Sequence, residues 1–354
     1  MFGISTFPER RIALCICMRR FCLSLALISA LGFVAPGTIG IATAGTWTLS
    51  VENDRIANTD RHYSNGVRLG WISDADDGTA LPEVRDALQM LYPLADVRGG
   101  RLGLELGHNI YTPNDTKTRN RLQDDRPYAG WLYASASLYA ETGKGLGDHY
   151  TETLDKMALE FGVVGPAALG EPIQNEYHKL INVETSKGWD NQIGNEPGIN
   201  LIGERKWRHK ALRFVGFEAD AIPHVGGSLG NVYTHLNGGV ILRVGQELYV
   251  DFGPPLIRPS LSGFGAINPA EKLAWYAFAG VDGRWVLRNI FLDGNTFSDS
   301  HSVDKKPLVA DFVTGVAITY DQLRIAFTHV IRTREFDTQA ESDRFGSLSL
   351  SVRF

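Results

Sequence analysis

Three stretches far apart in the chain hold the residues best suited to chemistry. The first runs from Glu52-Asn53-Asp54 to Thr59-Asp60-Arg61-His62-Tyr63-Ser64-Asn65-Gly66. The second runs from Tyr111-Thr112-Pro113 to Asp125-Arg126-Pro127-Tyr128-Ala129-Gly130-Trp131. The third begins at Gly165-Pro166 and continues through Gln174, His178 and Glu184 to Trp189-Asp190-Asn191-Gln192 and Asn195-Glu196-Pro197. Asp54 and Glu184 are hard oxygen ligands that suit Ca²⁺ when backbone carbonyls join them. His178 is a general base for neutral pH. Ser64 offers a hydroxyl as nucleophile or ligand, and Asn53 an amide donor to a developing oxyanion. A base, a cation and an oxyanion donor together describe ester hydrolysis. The plainer reading is that Asn and Asp here only make turns, that Asn65-Gly66 is a turn pair, and that His178 sits on a solvated helix. Gln174 and His178 stand four residues apart, so a helix over Glu171 to Ile181 puts them on one face.

Other chemistries are excluded by composition. All three cysteines, Cys15, Cys17 and Cys22, lie near the N-terminus. They fall in a segment with Arg10, Arg11, Arg19 and Arg20, an apolar run from Phe21 to Val34, and the triplet Ala42-Thr43-Ala44. That pattern is expected to be a signal peptide over residues 1–44, and Met18 would serve equally well as its start. The rest, residues 45–354, then has no disulfide and no thiol nucleophile, which suits passage through an oxidising periplasm. No His cluster at zinc spacing is present. The chain carries a formal charge of −5, and losing an arginine-rich leader makes it more negative still, so no nucleic-acid partner is expected. Beyond the leader no apolar run reaches about 18 residues, so no transmembrane helix is expected.

The elements that must position these residues read as strands. In the last segment Leu348, Leu350, Val352 and Phe354 alternate with Ser347, Ser349, Ser351 and Arg353. This is a period of two with one apolar and one polar face. A strand ending on a terminal Phe behind a signal peptide resembles the terminal signal of outer-membrane barrels. Alternating or apolar segments recur near 46–54, 63–73, 101–111, 127–141, 151–164, 198–208, 211–222, 234–246, 273–292, 307–320, 322–334 and 344–354. Twelve is an even number, as a closed single-chain bacterial barrel needs. The expected fold is all-β: one transmembrane antiparallel barrel of about 12 strands over residues 45–354, with short helices in its connections, one of them from Pro82 to Leu91. The segment 273–292 is long enough to be two strands, which would spoil that count. If the N-terminal end starts in the periplasm, all three polar stretches fall on the outer rim.

These residues carry a family resemblance. The sequence resembles the lipid A 3′-O-deacylase family of outer-membrane proteins (LpxR-like) from Trp47 to Phe354. The firmest stretches are Val51-Glu-Asn-Asp54, Tyr63-Ser-Asn-Gly66, Ile110-Tyr-Thr-Pro113, Gly162-Val-Val-Gly-Pro166 and the block Gln174, His178, Glu184, Trp189. The resemblance implies a twelve-stranded barrel, integral to the outer membrane, that removes the 3′-linked acyloxyacyl chain of lipid A with Ca²⁺. It implies His178 as general base on water, with Asn53, Ser64 and Gln174 in the catalytic set and Asp54 and Glu184 at the metal. Lys117, Arg119 and Arg126 are the implied phosphate contacts. Lipopolysaccharide is the implied partner, along with the barrel assembly machinery that inserts such proteins, and the chain is expected to be a monomer. Two alternatives stay open: a phospholipase-like barrel with a Ser64 nucleophile, and a non-catalytic structural or porin-like barrel. About 16 strands are usual for an aqueous channel, which weighs mildly against the last.

Overall fold

Alternation along the strands sorts the residues into an apolar exterior and a polar interior, and the computed structural model closes that pattern into a barrel. It describes residues 45–54, 62–74, 82–92, 96–146, 149–209, 212–254 and 268–354. The expected leader lies outside the described residues. The strands are β1 (Gly45–Asn53), β2 (His62–Ser73), β3 (Arg101–Thr112), β4 (Ala129–Leu146), β5 (His149–Val164), β6 (Glu196–His209), β7 (Phe217–Gly230), β8 (Tyr233–Gln246), β9 (Ala270–Asn289), β10 (Leu308–Asp321), β11 (Leu323–Arg332) and β12 (Asp343–Arg353). The short stretch Leu212–Phe214 continues β6 against the same neighbour, since Lys206 faces His224 and Leu212 faces Ala219. Each strand pairs antiparallel with the next. β1 meets β12 and β6 meets β7, so twelve strands form a ring with no open edge. Closure is what lipid demands, because an unpaired edge would leave backbone groups without partners.

Thr48, Ser50, Glu52, Arg68, Asp282, Asp311, Arg324 and Arg332 are buried inside. Leu69, Leu106, Phe161, Ile199, Leu242, Phe312, Ile325 and Phe327 are exposed outside. That inversion of a soluble fold is the signature of a barrel in lipid. No described helix is long and apolar enough to cross a membrane.

The interior is filled rather than open. Asp311 takes two bonds from Arg284, both at 2.9 Å, and two from Arg332, at 2.8 and 2.9 Å. Near the rim that carries Gly45 and Phe354, the chain after β8 makes a short turn at Leu248–Val250 and delivers Asp251 inward. Asp251 there meets Arg243 at 2.6 Å and Arg324 at 3.0 Å. Buried charges persist when paired and hydrogen-bonded, and these are.

Two expectations about strands resolve differently. The segment 273–292 holds one strand, β9, which gives way to a short helix after Asn289, and the count of twelve stands. The segment read as 211–222 is displaced. The chain turns at Val215-Gly216, both at positive φ, and β7 runs on through Pro223 to Gly230. Pro223 and the glycines at 226, 227 and 230 hide this strand from a propensity reading, since both residue types weaken strands. The helix expected over Pro82–Leu91, α1, is present. It packs Leu88, with Tyr92 just beyond its end, against Trp71, Leu102, Leu138 and Met157.

Candidate active site

The barrel wall itself leads to the site. On the outer face of β1 and β2, Trp47 faces Trp71, Leu49 faces Leu69 and Val51 faces Val67. The next pair in this outward row is Asn53 and Asn65. This outward apolar stripe, covered by α1 at Trp71, therefore ends, at the rim opposite the termini, on two amides. Asn53 donates from Nδ2 to the Ser64 carbonyl at 3.0 Å, which orients its side chain. Between Tyr63 and Asn65 the pairing with β3 slips by one residue. This bulge inserts Ser64, whose Oγ lies 2.7 Å from Thr112 Oγ1 at the end of β3. Bulges commonly re-aim a side chain in this way. Asp54 follows Asn53 and is buried. Asn65 Oδ1 is buried without a hydrogen-bond partner. Asn65-Gly66 is thus strand rather than turn.

The second half of the site is the connection between β5 and β6. Leu169, in the left-handed region at φ 60°, opens helix α2 (Gly170–Leu180). Pro172 falls in its first turn, where a missing N–H costs nothing. α2 lies against the outer side of β3 and β4: His108 Nε2 meets the Ala168 carbonyl at 2.7 Å, and Gly130 lets the Gly170 backbone approach closely. Gln174 and His178 share the buried face. Gln174 Oε1 accepts from Trp189 Nε1 at 2.9 Å, and Trp189 packs with Ile110 and Tyr128. The chain doubles back after α2, and His178 Nδ1 sits 2.9 Å from the Glu184 carbonyl. A carbonyl only accepts, so Nδ1 carries the proton and Nε2 the lone pair. That is the tautomer a general base needs.

The cations implied for phosphate divide into two groups. Lys117 and Arg119 are exposed on the connection between β3 and β4. That connection is tied to the α2 side, because Lys187 N donates to Thr116 O at 2.9 Å and Asn191 Nδ2 to Arg119 O at 2.8 Å. Arg126 is turned inward. It is buried, stands over the Tyr111 ring and reaches Glu335 at 3.3 Å. The carboxylate of Glu184 is half exposed and pairs with Lys187 at 2.7 Å, which holds it below the usual carboxylate range. Asp125 also stays below that range: burial would raise it, but His62 and the backbone N–H groups of Asn114 and Arg126 outweigh burial. No three His, Cys, Asp or Glu side chains converge as a metal cluster among the described residues.

A family model described as outer membrane protein LpxR matches residues 21–354. The chain belongs to the LpxR family. It is therefore an integral protein of the outer membrane. Among solved structures, LpxR from Salmonella typhimurium is similar with a TM-score of 0.69 and 21% identity, covering 87% of this chain and all of that one. The translocator domain of autotransporter NalP from Neisseria meningitidis is similar with a TM-score of 0.35 and 11% identity over 97% of this chain and 98% of that one. No curated relative matches the sequence.

Three contributors to this candidate site were not singled out by type and spacing. Thr112 and Trp189 stand inside the quoted motifs, yet their roles depend on contacts to Ser64 and Gln174 made across the fold. The Glu184 carbonyl is backbone, so no residue identity signals it.

Proposed function

We propose that the chain hydrolyses the ester holding the 3′-linked acyloxyacyl chain of lipid A. One observation supports this most: the outward apolar row of β1 and β2, open to lipid at Leu69, runs into Asn53 and Asn65. A hydrolytic site there meets its substrate from the membrane side, with acyl chains along the apolar stripe and the sugar at the rim. His178 Nε2 takes the proton of an attacking water and returns it to the sugar 3′-oxygen as the ester C–O bond breaks. Gln174, held by Trp189, sits one helical turn before the base and fixes that face of α2. Asn53 turns its amide toward the ester. Ser64 orders the site through Thr112, and water is the nucleophile.

The rim fits Ca²⁺ by chemistry. The Asp54 carboxylate, the partnerless Asn65 oxygen and the hydroxyls of Ser64 and Thr112 are hard oxygen donors of the kind it prefers. Glu184 would have to leave Lys187 to join them. Bound there, the ion would supply Lewis-acid stabilisation of the ester oxyanion. Lys117 and Arg119 are placed for a lipid A phosphate, and Arg126 braces the loop from within.

Expression of residues 45–354 behind a leader, followed by mass spectrometry of the host's lipid A, tests the reading. The expected result is loss of one acyloxyacyl unit, abolished by His178→Ala and by removal of Ca²⁺. Unchanged lipid A in every condition overturns it.

A further inference from the structure

Across the barrel from this site, the outer wall holds a second feature. On β8, β9 and β10, toward the same rim, Leu236, Trp285 and Leu308 face outward side by side, all more than half exposed. One pair of residues deeper, the outward row is Gly238, Gly283 and Ala310. Below that, Val281 and Phe312 restore bulk. The row of missing side chains floors a groove of about 730 Å³ that opens to the outside. At its rim end stand Lys306 and Arg334. Lys306 is held by Asp337 at 2.6 Å. Arg334 is exposed and makes no hydrogen bond or ion pair among the described residues.

We infer that this groove is a second, non-catalytic lipid-binding site that holds one lipid A molecule of the surrounding leaflet. The occupant follows from charge and position. The groove lies in the lipid-facing wall of an outer-membrane barrel, so an acyl chain lines its apolar part. A guanidinium with no partner among the described residues, beside a lysine at the rim, selects a phosphate, which Arg binds through two parallel N–H groups. Trp285 at the boundary fits the aromatic girdle of such barrels. Lipid held here would orient the barrel in the leaflet without entering the site on β1–β4.

Native mass spectrometry of the purified barrel tests this with hexa-acylated lipid A as the probe and phosphatidylglycerol as competitor. All proteins carry His178→Gln, which prevents turnover. The expected result is two lipid A molecules per barrel. Gly283→Leu fills the floor, and it should fold normally because a Cβ there meets only the Gly238 carbonyl, at 3.8 Å. Arg334→Glu should weaken one of the two bound lipids by about tenfold, the scale of a lost charge-assisted hydrogen bond, and Gly283→Leu should weaken the same lipid by excluding its acyl chain. The heat-modifiable migration that reports a folded barrel should not change. A single bound lipid A unaffected by either substitution overturns the proposal. Equal displacement by phosphatidylglycerol also overturns it, because the groove would then take any anionic lipid. Loss of the other lipid in variants of Lys117 and Arg119 bears on the catalytic site alone.

Discussion

Substituting Ser64 by alanine separates the two hydrolytic mechanisms. In the structure Asn53 is held by the Ser64 carbonyl, not by its side chain, so Ser64→Ala leaves Asn53 in place. What is lost is the hydroxyl contact to Thr112 at 2.7 Å and one oxygen donor toward Ca²⁺, which the assay offsets by saturating the ion. A hydrogen bond of this kind contributes roughly 1 kcal/mol, or about fivefold in rate if all of it is felt in the transition state. A stranded Thr112 hydroxyl adds to that, so an upper figure of about 3 kcal/mol, near 150-fold, is reasonable. Removing a true serine nucleophile costs far more, on the order of a million-fold in kcat for a protease triad. The assay is the initial rate of acyl release from lipid A in detergent micelles, read by mass spectrometry at saturating Ca²⁺. Ser64→Ala should fall by about 5- to 150-fold with KM little changed, and Ser64→Thr should stay within a few-fold of the parent. A drop to the uncatalysed rate in Ser64→Ala, with Thr112→Val near normal, would refute water as the nucleophile.

Three further outcomes follow from the geometry. Asp311→Ala strands two buried arginines and should cost about 3–5 kcal/mol, seen as a lower temperature for loss of folded-barrel migration. Arg126→Ala should lower stability without raising KM, because Arg126 faces Glu335 and Tyr111, whereas Lys117→Ala should raise KM a few-fold; the reverse pattern contradicts the assignment. Burial would raise the Glu335 carboxyl, but Arg126 and Arg332 hold it below its ordinary value of 4.5. Its contribution is therefore complete above that value and disappears as pH falls through the lowered one. Hydrogen exchange in residues 333–342 should be flat in stability terms from about pH 7 to pH 5 and loosen only below about pH 4.5.

The barrel was legible because lipid imposes a period of two that survives in strands such as Leu323–Arg332 and Asp343–Arg353. It was less legible at Phe217–Gly230, where Pro223 and glycine replace the alternating side chains and neighbouring strands supply the pairing. Within the site, Asn53, Ser64, Gln174 and His178 are visible as residue types that do chemistry. Their sidedness is not visible until register is known, since one residue of slip moves a strand's whole set from lumen to lipid. The bulge at Ser64 is such a slip. Arg126 shows the converse case. As a letter it resembles Lys117 and Arg119, and only the fold reveals that it points inward.

The most direct test of the whole account is mass spectrometry of hexa-acylated lipid A incubated with the purified barrel and with its His178→Gln variant. The account predicts a product lacking the 3′ acyloxyacyl unit, formed by the parent and reduced by about a hundred- to ten-thousand-fold in the variant, as expected for loss of a general base. Equal product from both proteins, or loss of an acyl chain from another position, would contradict it.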